Sequence, residues 1–274
     1  MEDWTGVLKL DVENRKGKTV AKNVYFQGAL KVMRPVYHDE SGQACFYILN
    51  PGGGYLDGDR YSLRISLENQ ARLTLTTQSA TKVYKTPTTH AYQETEIFLQ
   101  EGCFLEYLPD PLIAYQQARY KQKNVIHMDK GATFLYSDII TPGWSPDGKR
   151  FSYENLQLIN EIYMDDELVV YDHIRLNPGA QNIEGIGFMQ GYTHLGSMLV
   201  VEERTTPDLL DRLYHALNLN THACEIGLSL LPVKGFTLRV LANSTQTIER
   251  IFTECHHIIS EEWFKISPSF LRKY

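Results

Sequence analysis

The sequence predicts a mainly β protein whose sheets stack or wrap into a solenoid-like or sandwich arrangement, with about two helices in the C-terminal third. Three observations lead there. Apolar and polar residues alternate in segment after segment up to residue 176, the period-two pattern of half-buried strands. The small residues Ala71, Cys103 and Ala132 each follow a polar turn and lie roughly thirty residues apart, as successive β-layers would, although recurring hairpins give a looser version of the same spacing. Apolar residues at helical spacing are confined to the region after Thr206.

Taken in order, residues 7–13 alternate as a strand, residues 14–18 form a charged turn, and residues 19–27 return as a second strand. The apolar run 44–49 reads as a buried central strand that delivers the chain to Asn50-Pro51-Gly52-Gly53-Gly54, a loop closing on Gly58-Asp59-Arg60. Residues 61–68 alternate, Asn69-Gln70 turns the chain, and a further strand ends in the hydroxyl-rich run Thr77-Gln78-Ser79-Ala80-Thr81-Lys82. Strands follow at 93–99, 104–108, 116–128 and 133–140, of which 116–128 is polar enough to be placed at the surface, and a hairpin spans 155–176 around Asp165-Asp166. The glycine-rich stretch 181–196 reads as a bent strand pair or a loop. One helix starts at Thr206-Pro207-Asp208, with a cap, a first-turn proline and an acid at the positive dipole end. A second follows Asn243-Ser244, its stripe being Ile248, Ile251, Phe252, Cys255 and Ile258 or Ile259; two strands, 223–231 and 236–242, lie between the helices. The tail 266–274 is assigned to the surface. We read 1–274 as one unit, β-rich over 1–180, with 181–274 adding strands and the two helices without forming an independent domain.

The composition, 43% hydrophobic and 22% charged with 17 tyrosines, is that of a globular chain rich in strand-favouring residues. A net charge of −6 argues against nucleic acid as a partner. Cys45, Cys103, Cys224 and Cys255 are isolated, without CxxC or CxxH spacing, and read as reduced, buried thiols. The N-terminus lacks an apolar core and no window approaches a membrane span, so a cytoplasmic protein without a membrane partner is expected.

The glycines match neither GxxxxGK[ST] nor GxGxxG and lead into a strand rather than a helix, so no nucleotide site is expected. No nucleophile elbow is present, and no catalytic residues are assigned. Cys255-His256-His257 and His222-Ala223-Cys224 carry ligands suited to nickel, but the helical stripe buries Cys255 in the core and leaves His256 and His257 in solvent. Asp59, Glu106 and Asp138 lie on segments that become neighbours if the repeat stacks. Facing one interior they imply a wet passage for a divalent ion, whereas paired with arginines such as Arg60 or Arg64 they are structural. Lys82 reads as a structural or interface residue held by Thr77, Ser79 and Thr81.

The segment 50–86, a Gly52-Gly53-Gly54 turn closing on Gly58-Asp59-Arg60 and then Leu75-Thr76-Thr77-Gln78-Ser79-Ala80-Thr81-Lys82-Val83-Tyr84, resembles the hallmark region of the UreD (UreH) family of urease accessory proteins. Weaker similarity runs from about residue 28 to about residue 176. The resemblance implies a non-enzymatic maturation factor: a scaffold that binds apo-urease and UreF, recruits the GTPase UreG through UreF, and holds no cofactor tightly but passes nickel in transit. It also implies that acidic positions, here Asp59, Glu106 and Asp138, line an internal water-filled channel. Where the family commonly has Gly-Glu before a Phe, this chain has Gly148-Lys149-Arg150-Phe151, so no carboxylate is carried to that place. The rival reading is a β domain that binds small molecules or carbohydrate, for which tyrosines and a glycine loop would also serve. A docking face predicts aggregation of the chain made alone, and the C-terminal helices are the candidates for the UreF contact.

Overall fold

The computed structural model describes residues 4–218 and 224–265. Its strands are β1 (Gly6–Arg15), β2 (Lys18–Gly28), β3 (Lys31–Val32), β4 (Ala44–Leu49), β5 (Arg60–Glu68), β6 (Arg72–Thr77), β7 (Thr81–Val83), β8 (Ala91–Leu99), β9 (Phe104–Leu108), β10 (Leu112–Ala114), β11 (Arg119–Met128), β12 (Thr133–Ile140), β13 (Asn155–Met164), β14 (Glu167–Leu176) and β15 (His194–Val201). Helix α1 (Pro207–Asn218), strands β16 (Cys224–Leu230) and β17 (Gly235–Ala242), and helix α2 (Thr245–Phe264) complete the chain.

Seven strands form an outer sheet in the order β14-β13-β11-β8-β5-β1-β2, and the others form a central sheet whose main path is β16-β17-β15-β12-β9-β6-β4-β3. The thirty-residue spacing is a wrapping of the chain between these sheets. Arg60, Tyr92 and Lys121 stand in register on parallel β5, β8 and β11, while Arg72, Phe104 and Thr133 do so on parallel β6, β9 and β12. Each polar turn therefore carries the chain from one sheet to the other. Asn69 and Gln70, both with positive φ, make such a crossing and do not close a hairpin, since β5 and β6 belong to different sheets. True hairpins occur at β1–β2 and β13–β14, where the pairing is antiparallel.

Two apolar layers result. One lies between the sheets and takes Leu8, Ile65, Leu73, Leu105, Ile126 and Leu156 among many others. The second lies between the far face of the central sheet, with Leu135, Val200 and Leu238, and the stripes of α1 and α2. Both helices begin as the sequence predicts: Thr206 Oγ1 accepts from the Leu209 N–H at 3.2 Å, and Ser244 caps α2 by accepting from the Thr247 N–H at 3.2 Å. The stripe of α2 buries Ile248, Ile251, Phe252, Cys255 and Ile259. Residues 181–193 are a succession of turns before β15.

Strand β11 departs from expectation. It lies inside the outer sheet between β8 and β13, not at its surface. Its polarity arises because Gln122 and Asn124 sit on the inward face with Tyr120 and Ile126, while Lys121, Lys123 and His127 point outward. No helix among the described residues is long and apolar enough to cross a membrane. The tail 266–274, together with His222 and Ala223, lies outside the described residues.

Candidate functional site

The glycine loop is stitched to β7. The Tyr55 N–H donates to the Lys82 carbonyl at 2.8 Å and the Tyr84 N–H to the Tyr55 carbonyl at 2.9 Å. Gly54 permits this contact, because a Cβ there would stand 2.8 Å from the Lys82 carbonyl oxygen and 2.7 Å from the Tyr84 ring. Gly53 and Gly58 hold positive φ of 78° and 77°, while Gly52 is exposed. Asp59 closes the loop: its carboxylate accepts from the Leu56 N–H at 2.8 Å, the Tyr61 hydroxyl at 3.1 Å and the Thr5 hydroxyl at 3.2 Å. Arg60 lies over the Trp4 ring, and Arg64 pairs with Glu96 at 2.9 Å. The hydroxyl run does not converge on Lys82 as expected, for Thr77 is committed to Asp110, donating to its Oδ2 and accepting its N–H, each at 2.8 Å. Thr77, Ser79, Thr81 and Lys82 instead rim a small cavity of about 60 Å³ beneath the loop.

From that loop a row of polar side chains runs through the space between the sheets. Tyr61, bonded to Asp59, stacks on Tyr55 at 4.1 Å, and Tyr55 donates to Gln93 Oε1 at 2.5 Å. Tyr120 packs edge-on to Tyr55 and donates to Gln122 Oε1 at 3.1 Å; Gln122 then donates to the Tyr136 hydroxyl at 2.8 Å, and Tyr136 donates to Asp138 Oδ2 at 3.0 Å. Burial pushes the hydroxyls of Tyr55, Tyr120 and Tyr136 well above the usual tyrosine value, so they serve as neutral donors and acceptors. Burial likewise raises the Asp138 carboxyl to about 7, against the opposing pull of Arg239 and the Tyr136 hydrogen bond and with a further push from Asp172.

Beyond Asp138 the register builds two facing polar rows. On the central sheet Asp138, Ser197 and Arg239 are cross-strand partners on β12, β15 and β17. On the outer sheet Asn124, Asn160 and Asp172 are partners on β11, β13 and β14. Arg239 Nη2 donates to Asp172 Oδ1 at 2.5 Å, and Asn124, Asn160, Asp138 and Ser197 are all buried. Chemically the seam offers amide and hydroxyl groups, one carboxyl that titrates near neutrality, and an Asp172–Arg239 ion pair at its end.

Glu106 is not part of this seam. Strand alternation turns Leu105 and Tyr107 toward the outer sheet and Glu106 toward α2, so Glu106 and Asp138 occupy opposite faces of the central sheet, and the three carboxylates are not gathered into one lumen. Glu106 Oε2 accepts from Gln43 at 3.0 Å and Thr74 at 2.8 Å, and Oε1 pairs with His256 Nε2 at 2.6 Å. The expectation that His256 meets solvent is thereby corrected: with Cys255 in the core, the next residue falls on the flank of α2 that leans over β9, and its side chain is only 15% exposed. His257, at 45%, is the one that faces water. Burial is the largest single influence and favours the neutral form of each, but the pair's attraction and hydrogen bond together, helped at Glu106 by Thr74 and Arg72, outweigh it and hold His256 above its ordinary value and Glu106 below its own. Cys45, Cys103 and Cys255 are buried as expected, whereas Cys224, at the start of the edge strand β16, is only half-buried, and among the described residues no group of three or more His, Cys, Asp or Glu is placed to hold a metal.

Gln93, Gln122, Asn124, Asn160, Asp172 and Arg239 were not singled out by sequence reasoning. Their signal is the polar residue on the inward face of a strand, visible in β11 as polarity on both faces.

A family model described as UreD urease accessory protein matches residues 5–273. The chain is 51% identical over 274 residues to a urease accessory protein UreD of Lachnoclostridium phytofermentans, covering 100% of both chains. It is 43% identical over 275 residues to the protein of the same name from Staphylococcus aureus strain bovine RF122, covering 100% of this chain and 99% of the relative.

Proposed function

The chain belongs to the UreD family of urease accessory proteins, its role lies in urease maturation, and we propose that it does this as a scaffold that also conducts nickel. In this reading it binds apo-urease and UreF, receives the ion that UreG delivers through UreF, and passes it toward the urease active site without hydrolysing urea or nucleotide itself. The observation that carries the conducting role is the polar seam. Burying amides, tyrosines and a carboxylate between two sheets costs free energy that an apolar core would avoid, and a path for a hydrated ion gives that cost a use.

Of the carboxylates first considered, Asp138 faces the seam, Asp59 reaches its loop end through Tyr61, and Glu106 serves the helix side. A carboxyl that titrates near neutrality exchanges a proton for a cation readily, and hard oxygen ligands release nickel more easily than imidazole or thiolate does. Transit therefore favours Asp138 over the histidine–cysteine cluster.

The carbohydrate-binding alternative is disfavoured by the outer face. Arg64 lies over Phe98, Phe98 stacks on His127 at 5.0 Å and His127 on Tyr163 at 5.3 Å, so these ring faces are occupied by one another. The test is Asp138→Leu in a urease-maturation system with nickel measured per urease active site. Lowered nickel with UreF and urease still co-purifying supports conduction; full loading with an intact complex leaves only the scaffold.

A further inference from the structure

The cavity beneath the glycine loop is lined by hydrogen-bond donors that the protein leaves unused. Its floor is Leu30 and Ile48, one wall is Asn50 with the glycines, and the other is the run from Gln78 to Lys82. Asn50 Oδ1 accepts from the Gly52 N–H at 3.1 Å, so Nδ2 is the free end of that amide; it is buried and approaches the Tyr61 hydroxyl, yet finds no hydrogen-bond partner. On the other wall the Gln78 N–H goes to the Ile48 carbonyl and the Thr81 N–H to the Pro111 carbonyl, each at 3.0 Å, which pins the run at two points. Between them the Ser79 and Ala80 N–H groups, and with them the hydroxyls of Ser79 and Thr81 and the Lys82 ammonium, have no partner among the described residues.

Charge points the same way. No aspartate or glutamate among the described residues lines the cavity, and the neighbouring Asp110 is already engaged by Thr77 at 2.8 Å. Lys82 is therefore a half-buried cation without a counter-ion, and it is held in place, because its stem packs so close to Gly54 that a Cβ there would stand 3.1 Å from its own Cβ. Unmatched donors grouped around a cation form the set that oxyanions select. The size agrees: a water-sized sphere occupies about 10–15 Å³, so about 60 Å³ takes roughly four to six such spheres, near the five heavy atoms of a phosphate and too few for a nucleoside or a sugar.

We propose that this cavity binds a small free oxyanion of phosphate size, gripped by the Lys82 ammonium and the hydroxyls of Ser79 and Thr81, with the Ser79 and Ala80 N–H groups and Asn50 Nδ2 completing its shell. A carboxylate presents two oxygens in one plane and leaves part of this donor set unmatched, whereas a tetrahedral anion presents four oxygens in different directions. Bound there, the anion ties the glycine loop to β7. The inference goes beyond nickel conduction and does not depend on it, since the ligand is an anion and its site belongs to the loop.

The test is isothermal titration of the full-length chain with inorganic phosphate at constant ionic strength, chloride serving as the reference anion. Phosphate should bind at one site where chloride does not, and Lys82→Met should weaken it at least about tenfold, because a charge-assisted contact in a partly enclosed site is lost. Lys85→Met, an exposed lysine nearby, should change nothing. Phosphate binding no better than chloride, or equal in wild type and Lys82→Met, overturns the site. If Lys82→Met loses the wild-type circular dichroism spectrum, Ser79→Ala combined with Thr81→Val decides: weakened phosphate binding supports the proposal and unchanged binding refutes it. Acetate binding as tightly as phosphate, or GMP binding tenfold tighter, overturns the assignment of a free tetrahedral anion in favour of a carboxylate or a phosphomonoester.

Discussion

Replacing His256 with alanine should destabilise the protein substantially, as a solvent-facing histidine, which the sequence alone suggests here, would not. The substitution leaves Glu106 Oε1 without its 2.6 Å partner in a site where the carboxylate is buried, while Oε2 keeps Gln43 and Thr74. Breaking a buried pair by removing one member costs about 3–5 kcal/mol, and the two surviving donors place this case at about 3 kcal/mol. For a chain of this size that lowers the melting temperature by roughly 6–12 °C. The loss depends on pH. His256 is raised above 6.5 in the fold, so its contribution is complete below pH 6.5 and disappears as pH rises through the folded value. Glu106 is lowered from 4.5, so its contribution is present above pH 4.5 and is lost as pH falls through its folded value. The gap between wild type and His256→Ala should therefore be largest between these two values and shrink in alkali. Urea unfolding followed by tryptophan fluorescence, in which Trp263 reports from α2 itself, measures it at pH 6 and pH 9. A gap below about 0.5 kcal/mol at pH 6, or one equal at both pH values, refutes the clamp.

Other outcomes follow from the same geometry. Asp138→Asn should stabilise the protein at pH 8 by a few kcal/mol at most and change little at pH 4, because a carboxyl raised from 3.8 to about 7 loses stability as pH rises between those values, at about 1.4 kcal/mol per unit; denaturation midpoints at the two pH values check it. Gly54→Ala should cost roughly 1–3 kcal/mol, since the added methyl meets the Lys82 carbonyl and the Tyr84 ring, and thermal unfolding reads this directly. If the outward face of α2 docks UreF, charge reversal at Arg250 and Glu254, both exposed, should weaken UreF capture while the circular dichroism spectrum stays that of wild type.

Much of the fold was legible because it is written locally. The alternation of β5 and β8, the caps Thr206 and Ser244 and the stripe of α2 are short-range patterns, and the structure places each where its residues predict. The spacing of Ala71, Cys103 and Ala132 announced the wrapping, but a turn such as Asn69-Gln70 looks the same whether it closes a hairpin or crosses between sheets, so which strands share a sheet was not readable. The site was less legible for the same reason. Asp138 stood out as a carboxylate in an apolar strand, yet its relation to Arg239 depends on pairing through β15, and Asn124 meets Asp172 only through β13. His256 was misread because the helical period identifies the buried stripe but not which flank a neighbouring sheet will cover.

If the interior between the sheets is the path for nickel proposed above, Asn124→Leu should block it. Asn124 is buried midway along the seam and uncharged, so leucine of similar size removes its polar atoms without altering the protein's net charge. Nickel per urease active site is to be measured after maturation with wild-type or Asn124→Leu protein, in preparations where UreF and urease co-purify equally. Conduction through the seam requires a marked fall in nickel with assembly unchanged. Full nickel loading through a leucine-lined seam would contradict it.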